Sequence, residues 1–393
     1  MAEQSQVLPP RVSLIQGGLL FRVERRFGLV RDEPPAPAIR LVGGAIVTFL
    51  PLVVLAAVQG VLYGSHVALP LLYDVTAYTR FLLGVPLLVA AERSIGERLA
   101  DAIQQFRISG LVVGPARSEL EAAIARLERA RDSVVPETVM LIGAFVLGLV
   151  GTRALGLPAS NWHTLVPGVA ATMTLAGRWL DFVSLPIFNF LVFRWLWRIG
   201  LWSVFLGRVS RLDLRLVPTH PDGAGGLGFL GEIHMVFGAF LVPVSASIAA
   251  RGVQWIQYGG GTITSFRNAA IAYGVLALGL ALGPLLVFMP KLLAAKRTGL
   301  LEYGGFAQEY TGGFEHKWLR ERTDESLLGS ADIQSLADLA NSYNVIRSMR
   351  IVPPSAMSAV AVLLAAALPM LPFLAFIMPV EKILKLLMQL VAR

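Results

Sequence analysis

Five long stretches, 41–64, 137–156, 226–250, 268–290 and 354–379, are apolar almost throughout, and they limit what this chain can fold into more than any motif does. A bilayer core of about 30 Å takes about 20 helical residues at a rise of about 1.5 Å each. Lipid offers no partner to an open backbone amide, so such segments cross as helices. Two further stretches are apolar but carry charge: 66–91, with Asp74 and Arg80, and 168–207, with Arg178, Asp181, Arg194 and Arg198. The expected architecture is an all-α, polytopic transmembrane helical bundle of about seven spans with cytoplasmic amphipathic helices. A charged fraction of 15%, against about 25% in soluble domains, leaves too little charge to cover a water-facing surface.

The positive-inside rule gives the spans a direction. With the N-terminus in the cytoplasm, the inner segments hold 24 of the 34 Lys and Arg residues, and the outer ones hold Arg251, Arg267, Lys382, Lys385 and Arg393. Letting 168–207 cross twice would even out this contrast, so one crossing is expected. The plan is then a basic amphipathic segment over 1–40, spans 1 and 2 over 41–91, and a cytoplasmic helical hairpin over 92–135. Spans 3 to 6 follow over 136–290 with a Gly-rich loop at 208–225, then a cytoplasmic helical insertion over 291–351. Residues 352–393 supply span 7 and an amphipathic C-terminal helix. No removable signal peptide is expected. The absence of cysteine excludes disulfides, thiolate metal sites and cysteine nucleophiles. The net charge of +8 brackets the spans instead of forming a stripe on a soluble domain, so it orients the chain in a membrane and implies no nucleic-acid partner.

Several soluble segments read as amphipathic helices. Val12, Ile15, Leu19, Val23, Phe27 and Val30 recur at helical spacing away from Arg22, Arg25 and Arg26, which suits a helix lying on anionic lipid. Ile95, Leu99, Ile103 and Phe106 extend span 2, and Ser118 with Glu121 makes a capping box for a second helix carrying Leu120, Ile124 and Leu127. Ile333, Leu336, Ala340 and Tyr343 mark another. In the tail, Lys382, Lys385, Gln389 and Arg393 oppose Ile383, Leu384, Leu387 and Leu390.

The most distinctive segment is RLDLRLVPTHPDGAGGLGFLG, Arg211 to Gly231. Gly223, Gly225 and Gly228 match the GxGxxG spacing, whose chemistry is a tight turn presenting amides to a phosphate. A membrane span follows instead of a βαβ unit, which argues against a dinucleotide fold. Either the loop offers free amides and Arg211 or Arg215 to an anion or lipid headgroup, or its glycines turn an interfacial strand sharply into span 5. His220, Asp222, Glu232 and His234 match no metal-site spacing, so no metal and no cofactor is expected, and an Asp and His cap at the mouth of a helix is the plainer reading. No nucleophile elbow, HExxH or Walker loop occurs, which leaves no catalytic residue to name.

Charge inside the spans is the other signal, because a charged group in hydrocarbon costs at least about 2.5 kcal/mol unless it turns inward. Arg178 and Asp181 are three apart and can pair along one helical face. Arg194 and Arg198 share a face and repel. They either snorkel to headgroups beside a belt of Trp195, Trp197 and Trp202, or line a pathway selective for anions with Asp74, Arg80 and Glu232 as partners. Asp74 and Arg80 share no face and need partners on other helices. Pro86, Pro186, Pro243, Pro284, Pro369 and Pro372 allow kinks within spans.

The run FVSLPIFNFLVFRWLWRIGLW with RLDLRLVPTHPDGAGGLGFL, over 182–230, and the strings LLGSADIQSLADL and VIRSMRIVP, within 327–353, resemble a family of uncharacterised bacterial polytopic inner-membrane proteins. The resemblance covers about the C-terminal half and implies a bacterial inner-membrane location. It supplies no catalytic or binding residue. The expected function is an oligomeric channel or transporter, for a small ion or anion, with a cationic pathway near Arg194, Arg198, Arg80 and Arg178 and intramembrane acidic partners Asp74, Asp181 and Glu232. Membrane lipids and a second copy of the chain are the expected partners. The alternatives are a membrane scaffold or signalling protein acting through its cytoplasmic helices, and a lipid-modifying enzyme using His220, Asp222 and Glu232.

Overall fold

The computed structural model describes residues 11–15, 17, 18, 21, 22, 26, 36–154, 160–165, 172–321 and 330–374. Among them lie α1 (Ala36–Val58), α2 (Val75–Ile108), α3 (Ala116–Arg131), α4 (Val134–Ala154) and α5 (Leu175–Val209). They are followed by α6 (Gly228–Tyr258), α7 (Ile263–Arg320), α8 (Ala331–Ser348) and α9 (Ala356–Phe373). All but α3 and α8 are long and apolar enough to cross a membrane, which makes seven spans. Among the described residues there is no strand; the interfacial strand expected before span 5 is a single bridge between Val112 and Leu214.

The spans are apolar on the outside. Val42, Ile46, Leu50, Val54 and Val58 repeat every four residues along an exposed stripe of α1, while Thr48, Leu52 and Ala56 face inward and are fully buried. Val135, Val139, Ile142, Val146 and Val150 on α4, and Met357, Val360, Leu364 and Leu368 on α9, are exposed in the same way. Apolar stripes of this length have no place on a soluble monomer. The chain is a polytopic membrane protein whose outer surface meets lipid.

Span 5, α6, is the most enclosed of the seven and packs on α2, α7 and α9. The α1–α2 and α4–α5 pairs have features in common. Each has a mainly apolar span of 19 residues, Arg40–Val58 or Val134–Thr152, a connection, and then a long second helix of 34 or 35 residues. Both second helices widen into a π turn, Tyr78–Gly84 and Leu180–Ser184, where Val85 N–H reaches Arg80 O and Leu185 N–H reaches Leu180 O. Pro86 or Pro186 follows at once. A proline lacks the N–H for the usual bond and clashes with the carbonyl four residues back, and the wider turn relieves both defects.

Capping residues explain where the spans differ from the hydropathy reading. α2 starts at Val75, not at 66, because Asp74 accepts from Thr76 N and Ala77 N; α5 starts at Leu175, not at 168, because Thr174 accepts from Gly177 N. The capping box at Ser118 does not form. α3 begins at Ala116, the Ser118 hydroxyl donates to Pro115 O, and Glu121 instead takes both ends of the Arg107 guanidinium at 2.8 and 2.7 Å. Within the helical insertion expected over 291–351, α7 continues to Arg320 and α8 packs back along it.

The N-terminus of α1, the second half of α2, α3, the end of α5, the glycine loop and the α7–α8 arm gather at one end, here termed the basic end. Several of the described N-terminal residues pack there on protein. Val12 and Leu14 are buried, Arg131 donates to Ser13 O, and the Ile15 side chain lies over Gly96. Leu19, Val23, Phe27 and Val30, and the amphipathic tail from 380, lie outside the described residues.

Candidate functional site

Glu92 sits on the inward stripe of α2 with Leu88, Ile95 and Leu99, and three guanidinium groups converge on it. Arg194 and Arg198, one turn apart on α5, each place Nη1 on Oε1, at 2.8 and 2.9 Å; Arg40 at the start of α1 places Nη2 on Oε2 at 2.9 Å. Glu92, Arg194 and Arg198 are only 4%, 3% and 5% exposed, so water does not screen them. Within the bundle the buried Arg194 and Arg198 thus share a single carboxylate oxygen, and Arg40 takes the other.

This overturns the partners expected for Arg194 and Arg198, which are neither Asp74 nor Arg80 nor Glu232. It also removes the snorkelling reading. Trp195 and Trp202 are buried, not in a belt, and donate to Leu88 O at 3.0 Å and to His234 Nε2 at 2.8 Å; Trp197 is half-buried. Arg198 lies 5.2 Å from the Trp195 ring. Glu92 falls just past the apolar stretch and so reads in sequence as the first residue of a soluble hairpin. Its register with Leu88, Ile95 and Leu99 is the signal that it faces inward.

A second polar group lies at the opposite end. Asp74 accepts from Trp162 Nε1 at 2.8 Å and Gln254 Nε2 at 3.0 Å, and Gln254 in turn accepts from Thr76 Oγ1 at 3.2 Å and Arg251 at 2.8 Å. Arg80, in the first π turn, lies 5.9 Å from the Phe188 ring, and its Nε is buried with no hydrogen-bond partner among the described residues. The expected Arg178–Asp181 pair is not made. Arg178 is exposed, while Asp181 is buried against His163 Nε2 at 3.1 Å, and His163 Nδ1 meets Thr164 Oγ1 at 2.8 Å.

The glycine loop is folded around its own acid. Asp222 Oδ1 accepts from Ala224 N at 2.8 Å and Gly226 N at 3.2 Å, and Oδ2 accepts from Gly228 N at 2.7 Å. The amides expected to be free for an anion are thus taken by a carboxylate of the same chain, which stands where a phosphate would in a nucleotide loop. Gly223 and Gly225 supply φ values of 62° and 64° that other residues rarely adopt. His220 Nδ1 lies 2.9 Å from Asp222 Oδ1. Burial works against the ionised Asp222, but these amides and His220 outweigh it and hold its carboxyl below the usual range. Arg211, Arg215 and Glu232 are exposed. His234 turns into the core, where its Nδ1 meets Ala281 O at 2.5 Å and its Nε2 accepts from Trp202, so both ring nitrogens are used.

Gly231 fixes this loop to α9. A Cβ there would come within 2.7 Å of Pro354 Cα and 3.0 Å of Pro353 O, backbone that cannot step aside. Gly231→Ala is expected to cost about 1–3 kcal/mol by overpacking. Gly200→Ala, where a Cβ meets nothing within 4 Å, is expected to gain up to about 1 kcal/mol. Melting of the two variants in one detergent checks the opposite signs.

Compared with protein-family models, curated proteins and solved structures, the chain has no match.

Proposed function

We propose that this protein is a transporter or channel for small anions in a bacterial inner membrane, working as a homo-oligomer with its basic end in the cytoplasm. The observation that carries the reading is that the buried Arg194 and Arg198 both depend on the one Oε1 of Glu92. Two buried guanidinium groups that share one carboxylate oxygen in a low-dielectric bundle attract an anion and repel a cation. The π turns in α2 and α5 support it, because single π turns within helices are frequent at functional sites. An anion passes by replacing Glu92 on one guanidinium at a time.

Flux of chloride or phosphate into proteoliposomes tests this. Arg194→Ala with Arg198→Ala is expected to lower flux at least about tenfold, the equivalent of one lost charge-assisted contact. No flux of wild-type protein under voltage, pH and ion gradients would overturn it. A second reading rests on the α7–α8 arm, where Leu301 and Leu319 are 78% and 68% exposed beyond the span. A scaffold using that arm would carry no flux, yet would lose its partner on Leu301→Glu.

A further inference from the structure

A cavity of about 510 Å³ opens at the basic end between the 109–111 turn, the glycine loop, the start of α6 and the start of α9. Its polar lining includes Arg215, His220, Glu232, Arg350, Ser355 and Ser358. The size falls within the range of small-molecule sites, about 300–1,000 Å³. Arg350 is fixed there by its backbone, which donates to Gly223 O at 2.8 Å, and by Nη2, which donates to Asp222 O at 2.8 Å. Its Nε–H is nevertheless buried and unpartnered among the described residues. That Nε–H is closed to the cavity as well, so what the wall offers a ligand is the charge of Arg350 and Arg215 and not this donor. Arg215 stands exposed on the same wall, and Ser358, 1% exposed, shares a hydroxyl contact of 3.1 Å with Ser355.

We propose that this cavity binds a ligand through a phosphoryl group, held by Arg350 and Arg215 with the Ser355 and Ser358 hydroxyls. Guanidinium forks match phosphoryl oxygens in geometry as well as charge. The loop amides take no part, because Asp222 already fills them. Glu232 and Asp222, which also lines the cavity, disfavour a bare anion, so the natural ligand carries a hydroxyl or amine to meet a carboxylate. The phosphoryl group belongs to a free metabolite or to a lipid headgroup, since the cavity lies where α6 enters the membrane. The site is separate from the Glu92 cluster and does not depend on the transport reading.

Calorimetric titration of the full chain in detergent with inorganic pyrophosphate tests the first source, and nanodiscs of phosphatidic acid against phosphatidylcholine test the second. Saturable binding in either arm is expected. Arg350→Lys is expected to weaken it at least tenfold and Arg215→Ala about fivefold, while Glu232→Gln tightens it two- to fivefold. Arg215 and Glu232 are exposed, so those two variants keep the fold and the opposite signs remain readable if Arg350→Lys does not. No saturable binding in either arm, or binding indifferent to all three variants, overturns the proposal. Loss of binding on Arg194→Ala but not on Arg215→Ala would place the anion at Glu92 and also overturn it.

Discussion

Glu92→Gln is expected to destabilise the protein by about 3–5 kcal/mol, the cost of breaking a buried ion pair and leaving its partner uncompensated. Here the partners are three. Arg194, Arg198 and Arg40 lie within 2.9 Å of the two carboxylate oxygens, so they are close to one another and repel once the negative charge is gone. Total stabilities are about 5–15 kcal/mol, so one substitution consumes a large part of the margin. The exposed pair Arg93–Glu97, at 3.0 Å on the same helix, gives the contrast. Arg93→Ala is expected to cost no more than about 0.5 kcal/mol. Adding Arg194→Gln and Arg198→Gln to the Glu92→Gln background is expected to recover part of the loss, as contacting sites do not add. Unfolding in mixed micelles measures all of these. A loss below about 1 kcal/mol for Glu92→Gln would mean that the carboxylate is not what balances the arginines.

The number of spans was legible because the bilayer imposes hydropathy directly on sequence, and one crossing for 168–207 agrees with the single helix α5. The span ends were less so, since they depend on Asp74, Thr174 and Thr262 capping particular amides, which hydropathy does not weigh. The two π turns showed only as Pro86 and Pro186, because a proline announces a break without saying how the helix relieves it. The arginine cluster was half legible. Arg194 and Arg198 stood out as charge in an apolar stretch, but Glu92 and Arg40 sit where spans end, and exposed and buried charge look alike there. Arg178 shows the converse, being charge within an apolar stretch that the fold leaves exposed. In the glycine loop the need for unusual backbone angles was evident from Gly223, Gly225 and Gly228. The occupant was not, because nothing in the spacing distinguishes a loop that waits for an anion from one that has enclosed its own.

That enclosed carboxylate makes the second large effect. Asp222→Ala is expected to strip the amides of Ala224, Gly226 and Gly228 of their acceptor together, each unmet donor costing about 1–3 kcal/mol. Hydrogen-exchange protection at these positions should fall at least tenfold, and Arg350, which donates to Asp222 O and Gly223 O, should lose its anchor. Asp222→Asn separates the contributions. The Oδ1 bonds to Ala224 and Gly226 survive if the amide oxygen takes that place, while Gly228 faces an NH2 group and loses its acceptor. Acidity gives a further check with a definite sign. The folded carboxyl is held below its ordinary value, so its stabilisation is fully present above the unfolded value of about 3.9 and is withdrawn as pH falls through the folded one. Protection factors for the three amides should therefore stay level from about pH 7 to pH 5 and decline only below about pH 4. Loosening already at pH 5–6 would show that the amides do not favour the ionised acid, and the account of the loop as an internally filled anion nest would fail.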